Sequence, residues 1–197
     1  MTASLEEIAR RAEVGIGTLY RHFPRGREQL VAEALIEQVA RYVAAAEEAL
    51  RAPDPGEGFE RLVGQICAMQ ADDRGLGDML VMALPAGERV EELRARAYDL
   101  AVELIQRAKA AGRLRPDFVG GDLLLMMMAN STILEVTRDD APAASRRLVG
   151  LFLEAARAGG PRSDLPPAPS SEELRRAMVR LAQSRGCAVP SLDEENA

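Results

Sequence analysis

Histidine, tryptophan and cysteine are nearly missing from this chain, which has one His, no Trp and two Cys in 197 residues. A lone histidine cannot build a His–His dyad. With Cys67 and Cys187 far apart in sequence, it also excludes a His/Cys zinc site within one chain. The two cysteines fit reduced thiols in a cytoplasmic protein better than a disulfide framework. Cys67 lies among apolar neighbours and reads as a buried small hydrophobe, whereas Cys187 falls in a loose tail. Aromatic residues make up only 4% of the chain, so stacking on bases or sugars is not its main binding mode. No signal peptide is read at the start, and the apolar run Leu123–Ala129 is too short to span a bilayer, so no membrane partner is expected. No nucleophile with a paired base, Gly-rich phosphate loop or metal-ligand spacing is present, so neither an enzyme nor a cofactor is expected.

What is there is helical. At 47% hydrophobic and 28% charged residues, the composition is that of a folded globular protein. Period-2 alternation and Asn-Gly or Asp-Gly hairpin turns are missing, while Ala, Leu, Glu and Arg abound. From Arg27 to Leu50 apolar residues recur at Val31, Leu35, Val39, Tyr42, Val43, Ala46 and Leu50, the spacing of one helix face. Arg51-Ala-Pro-Asp-Pro-Gly56 ends that helix. Further helices are expected at about Gly58–Asp73, Leu76–Leu84 and Glu88–Ala111. The third of these carries Leu93, Ala97, Leu100, Ala101, Leu104, Ile105 and Ala108 on one broad face, with Gly112 as its left-handed cap. Pro116 and Asp117 mark the start of an apolar helix at about Val119–Thr137. Pro142 opens another helix, to about Ala158. Pro161, Pro166, Pro167 and Pro169 make a stiff connector. Ser170 and Glu173 form a capping box for a last helix, which docks through Leu174, Met178 and Leu181. The residues after Gly186 read as frayed.

The N-terminal segment Ser4–Phe23 reads SLEEIARRAEVGIGTLYRHF. Ser4 and Glu7 make a capping box, so a helix starts at Leu5 with Leu5, Ile8, Ala9 and Ala12 on its apolar face. Glu13-Val14-Gly15 breaks it, Val14 pointing inward. A second short helix runs to His22, with Leu19 and Phe23 inward. Two short helices, a tight turn and a shared apolar seam make a helix-turn-helix, whose second helix enters the DNA major groove. Gly15 and Gly17 allow close approach of the backbone, while Ile16 and Thr18 face thymine methyl groups or base edges. Tyr20, Arg21 and His22 are placed for phosphates and bases, and Arg25 and Arg27 for phosphates. The bland alternatives are a structural Tyr20 and a His22 packed beside Phe23. Residues 1–31 hold five Arg against four Glu, a net charge of +1, whereas the rest of the chain sums to −7. The acidity that argues against DNA for the whole chain therefore lies outside this segment.

This string resembles the DNA-binding domain of the tetracycline-repressor-like (TetR/AcrR) family of bacterial transcription regulators. Ser4, Leu5, Ile8, Ala9, Ala12, Val14, Gly17, Thr18, Leu19, Tyr20, His22 and Phe23 fill the family pattern, and Gly112–Asp117 with Asp122-Leu123 echo the turn before its dimerisation helices. The resemblance is close over residues 4–35 and looser over nearly all the rest. It implies an all-α chain: a helix-turn-helix head with a connecting helix over 1–50, and a helical effector-binding and dimerisation domain over 51–197. It further implies a ligand-responsive regulator, a repressor released from a double-stranded DNA operator by a small effector. Dimerisation would use 119–137 and 143–158. Ser4, Gly15, Ile16, Gly17, Thr18, Tyr20, Arg21, His22, Arg25 and Arg27 are the expected DNA-facing residues.

The effector is expected to be small and mostly apolar. Met69, Met79, Met82, Leu104, Met127, Asn130 and Leu134 are its candidate contacts, since methionine suits adaptable apolar pockets and equally fills ordinary cores. Asn130 would hold a ligand's polar group or bond across the dimer. Asp78 and the pairs Glu47-Glu48 and Glu91-Glu92 read as solvated surface. Family members carry a further helix before the position of Thr2, which this chain is expected to lack. The seam of Leu5, Ile8, Leu19 and Phe23 would then lose roughly 200–400 Å² of apolar cover, about 5–10 kcal/mol at ~25 cal/mol/Å². Two expectations follow: a natural start upstream of Met1, or a DNA-binding domain so impaired that only ligand binding or dimerisation remains.

Overall fold

In the computed structural model the described residues are 4–72, 87–159 and 165–184. They form eight α-helices: α1 (Leu5–Arg11), α2 (Ile16–His22), α3 (Arg27–Leu50), α4 (Pro55–Asp72), α5 (Glu88–Ala110), α6 (Gly120–Thr137), α7 (Ala143–Ala156) and α8 (Ser171–Ser184). Among the described residues the only extended pairing is an isolated bridge between Leu114 and Arg157. No helix among them is long and apolar enough to cross a membrane. The expected helix at Leu76–Leu84, with Met79, Met82 and Asp78, lies outside the described residues, as do Cys187 and the tail after Gly186.

Several boundaries move for local reasons. The second long helix starts at Pro55 rather than near Gly58, because the Asp54 carboxylate accepts the backbone N–H of Gly56 at 2.8 Å and caps it. Pro116 and Asp117 sit in a turn, not at a helix start; α6 begins after Val119, whose N–H donates to Asp122 Oδ2 at 2.9 Å. Gly112 has φ +67°, as a left-handed cap requires. The Ser170–Glu173 box closes in both directions: Ser170 N–H donates to Glu173 Oε2 at 2.8 Å, and Glu173 N–H to Ser170 Oγ at 3.2 Å. Leu174 and Met178 are buried, as their spacing predicts.

The core lies in the body of the molecule. α3 packs most extensively on α5 and then on α4, and α4 packs also on α5, α6 and α7. Phe59, Leu62, Val63, Val90, Leu104, Ile105 and Ala108 are at most 1% exposed. α3 and α4 approach closely enough that a Cβ on Gly58 would stand 2.5 Å from the Ala49 carbonyl oxygen. Phe118, on the loop before α6, meets Phe59 edge-on at 5.4 Å and Phe152 of α7 at 5.8 Å, joining three segments through aromatic contacts.

One polar chain crosses this interior. Asn130 Nδ2 donates to Gln70 Oε1 at 2.6 Å, Ser145 Oγ donates to Asn130 Oδ1 at 2.7 Å, and Gln70 Nε2 donates to the Met127 carbonyl at 3.1 Å. Side chains of α4, α6 and α7 thus satisfy one another, as buried amides must. Cys67 is buried, with its Sγ 3.7 Å from Met126 Sδ.

Candidate DNA-reading head and effector cleft

The head is built by α1, α2 and the turn between them. Ser4 caps α1 by accepting Glu7 N–H at 3.2 Å. The reciprocal half of the expected capping box is not made. The Glu7 carboxylate turns instead to Arg10 and Arg11, at 2.8 Å from each, and these two guanidinium groups hold its pKa below the usual carboxylate value. Glu13 takes a left-handed conformation, φ 56°, which sharpens the turn. Ala9 and Leu19 are buried and form the seam. Leu5, Ile8 and Phe23 are only half-buried, and Ala12 is exposed. Val14 is also exposed, at 41%, contrary to its expected inward placement. It stands in the turn, outside the seam that Ala9 and Leu19 make.

α2 presents an open face. Gly15, Ile16, Gly17, Tyr20, Arg21 and His22 are exposed and Thr18 is half-buried, while Leu19 anchors the opposite side. Nothing lies within 4 Å of the place a Gly17 Cβ would take, so internal packing does not require glycine there. The His22 ring stands 6.4 Å from that of Phe23, so contact with Phe23 and exposure coexist. Arg25 and Arg27 are exposed on either side of Gly26, where α3 begins, and Gln29 Oε1 accepts the Arg25 N–H at 3.2 Å. The head's expected DNA-facing residues thus share one exposed stretch, with Ser4 at its edge.

Among the described residues the expected effector contacts do not gather in one place. A mostly apolar cleft of about 60 Å³ opens between four helices. Val39, Tyr42 and Ala46 of α3 and Leu62 and Ile66 of α4 form one side. Arg94, Ala97, Tyr98, Ala101 and Val102 of α5 face Gly120, Leu123, Leu124 and Met127 of α6. Of the described sequence candidates only Met127 is among these residues; Met79 and Met82 lie outside the described residues. Leu104 is sealed in the core beside Gly58, Leu134 is buried and Met69 is half-buried away from the cleft. Asn130 is fully buried, and its amide is held within the chain by Gln70 and Ser145.

Sequence reasoning missed Tyr42, Arg94 and Tyr98. A signal existed for two of them. Arg94, Ala97, Tyr98, Ala101 and Val102 recur at helical spacing, a second stripe on α5 beside the strongly apolar one.

A model of "Bacterial regulatory proteins, tetR family" matches residues 2–34. A model of "Transcriptional regulator SbtR-like, C-terminal domain" matches residues 54–158. No protein of curated function matches. Among solved structures, the TetR transcriptional regulator SCO0520 from Streptomyces coelicolor is 29% identical, with TM-score 0.59, covering 80% of this chain and 89% of its own. The TetR-family regulator PfmR from Thermus thermophilus is 20% identical, with TM-score 0.60, covering 81% and 90%. The fatty acid degradation regulator FadR from Bacillus halodurans is 21% identical, with TM-score 0.57, covering 82% and 90%. At those identities the last two speak for the fold alone. With one family model on the head and another over more than half of its length, this chain belongs to the TetR family of bacterial transcriptional regulators, a DNA-binding and non-enzymatic family.

Proposed function

We propose that the protein is a cytoplasmic, homodimeric repressor that leaves its operator when a small, mostly apolar effector enters the body. The observation that carries this reading is the exposed face of α2, with Ile16, Tyr20, Arg21 and His22 turned outward from the Leu19 anchor. The domain division at about residue 50 separates the head and its connecting helix from the effector-binding part. Two recognition helices in a dimer would meet successive major grooves ~34 Å apart. Leu125 and Val136 on α6 and Leu151 on α7 are exposed apolar side chains, at 38%, 73% and 54%, and support these helices as the dimer face. Val39, Tyr42 and Ala46 line the cleft from α3, the same helix that begins beside the head. A ligand that binds the two settings of α3 unequally would shift the equilibrium between them.

Fluorescence anisotropy with duplex DNA flanking the protein's own gene tests the reading. Specific binding should weaken with salt in proportion to the phosphates neutralised. Arg21→Ala should cost about 1–3 kcal/mol of DNA affinity and leave stability within ~0.5 kcal/mol. Unchanged affinity for this variant would count against the assigned face. A monomer by light scattering at micromolar concentration would count against the dimer.

A second reading is a helical ligand-binding or dimerisation protein that binds no operator. The half-buried Leu5, Ile8 and Phe23 favour it, because an under-covered seam holds the reading helix loosely. The same titration separates the two: it predicts salt-sensitive but sequence-indifferent binding, or none.

A further inference from the structure

The cleft between α3, α4, α5 and α6 contains something that a purely apolar ligand does not call for. Among its described lining side chains only Arg94 is charged, and that side chain is 11% exposed. Glu91, with which it forms an ion pair, lies outside the cleft and its side chain is 57% exposed. Burial pulls the Arg94 guanidinium down from its ordinary pKa, and Glu91 only partly opposes this. A cation in an apolar wall is costly unless an anion compensates it. Glu91 can turn to water and yield its place.

The room for a ligand comes from a second feature. A groove of about 430 Å³ runs beneath the extended segment 165–170, and Tyr98 and Gly120 line both this groove and the cleft. A Cβ on Gly120 would stand 3.1 Å from the Tyr98 ring, so the ring rests directly on the first turn of α6 and divides the two spaces. The inner cleft alone, about 60 Å³, is below the ~300–1,000 Å³ of ordinary ligand sites. A ligand longer than the inner cleft must displace this ring to occupy both spaces. The outer groove carries Asp117 and Asp122, which repel a negative head, together with Val119, Leu165 and prolines, which accept an apolar chain.

We propose that this site takes an amphiphilic carboxylate, its head paired with Arg94 and its chain passing Tyr98 into the outer groove. This rests on the reading of the cleft as the effector site.

Calorimetric titration of the intact protein with octanoate, 1-octanol and octyltrimethylammonium tests it. Octanoate should bind at least about tenfold more tightly than octanol, the equivalent of one charge pair of ~1.4 kcal/mol. Arg94→Met should erase that preference by weakening octanoate alone, and Arg94→Lys should restore part of it; thermal melts of both variants check folding. Equal affinities, preference for the ammonium compound, or undiminished octanoate binding by folded Arg94→Met would each overturn the proposal. Failure of all three probes to bind would overturn it as well. Ala101→Trp, which fills the cleft, tests the underlying reading separately. Loss of octanol together with octanoate supports the cleft as the site, whereas octanol binding untouched by this change overturns that reading itself.

Discussion

Between Ser4 and Gly26 the buried apolar side chains are Ala9 and Leu19; along α3 alone they are Leu35, Val39, Tyr42, Val43, Ala45, Ala46 and Ala49. The two regions are built from similar residues, and both are helical. What separates them is how many neighbours each helix has. α1 and α2 pack mainly on each other, whereas α3 is flanked by α4 and α5, and α4 in turn by α6 and α7. Seven-residue helices are too short to be stable by themselves, so the head depends on its few seam contacts. The body can lose a contact and keep its fold; the head holds its shape on two anchors. That suits a reading element, which must expose most of its surface to DNA.

The contrast can be broken at its strong end first. Phe59→Ala should remove about 3–5 kcal/mol from global stability, read by urea denaturation, because this ring of α4 is buried in the core edge-on to Phe118. Leu19→Ala should cost about 2–3 kcal/mol, the low end for a buried leucine. That loss should be local: amide exchange in residues 5–22 should accelerate, and operator binding fall, while the main thermal transition barely moves. A global shift as large as that of Phe59→Ala would mean the head and body unfold as one unit. Asn130→Ala should cost about 1–3 kcal/mol by leaving Gln70 and Ser145 unsatisfied, and the loss should appear in the main transition.

The smallest effect concerns pH. Asp54 is held below its ordinary value of 3.8, first by its hydrogen bond to the Arg113 guanidinium and then by the backbone N–H groups of Gly56 and Glu57. A carboxylate lowered on folding adds stability above its unfolded pKa and loses it as pH falls through the folded one. Acid unfolding below pH ~3.8 should therefore be blunted in Asp54→Asn relative to the parent, a small difference because the Arg113 side chain that pairs with it is 58% exposed and solvent screens the pair.

Much of this architecture is legible in the residues themselves. Prolines and glycines punctuate the helices, and Ser170 with Glu173 announces α8 through a pairing that depends on nothing distant. The helix-turn-helix is legible for the same reason, since its spacing is short-range. Two differences in the head have a common cause: spacing puts Val14 and Ala12 on a seam whose width is set by whatever packs on it. Spacing likewise puts Glu7 in a cap, although Arg10 and Arg11 stand within about one helical turn and compete for it. The cleft is least legible. Its walls come from four helices separated by as much as the span from Val39 to Met127, and nothing in a single helix says which face meets which. Methionine content points to the core, where Met126 and much of the apolar set are simply packed, while the polar markers Arg94 and Tyr98 look like solvent-facing positions.

The contact between Gly58 and the Ala49 carbonyl has a mechanical consequence. At its last turn α3 lies so close to α4 that a Cβ at residue 58 would clash with the Ala49 carbonyl, so a tilt of α3 pivoting at that contact would act as a lever about a fulcrum. At 1.5 Å per residue its 24 residues reach about 36 Å, so a tilt of ~5° swings the far end by roughly 3 Å. A smaller displacement beside Tyr42, about a third of the way along the arm from that end, would thus be magnified at the helix start. Any side chain placed at residue 58 would push the last turn of α3 away from α4 and so move the point about which such a tilt turns.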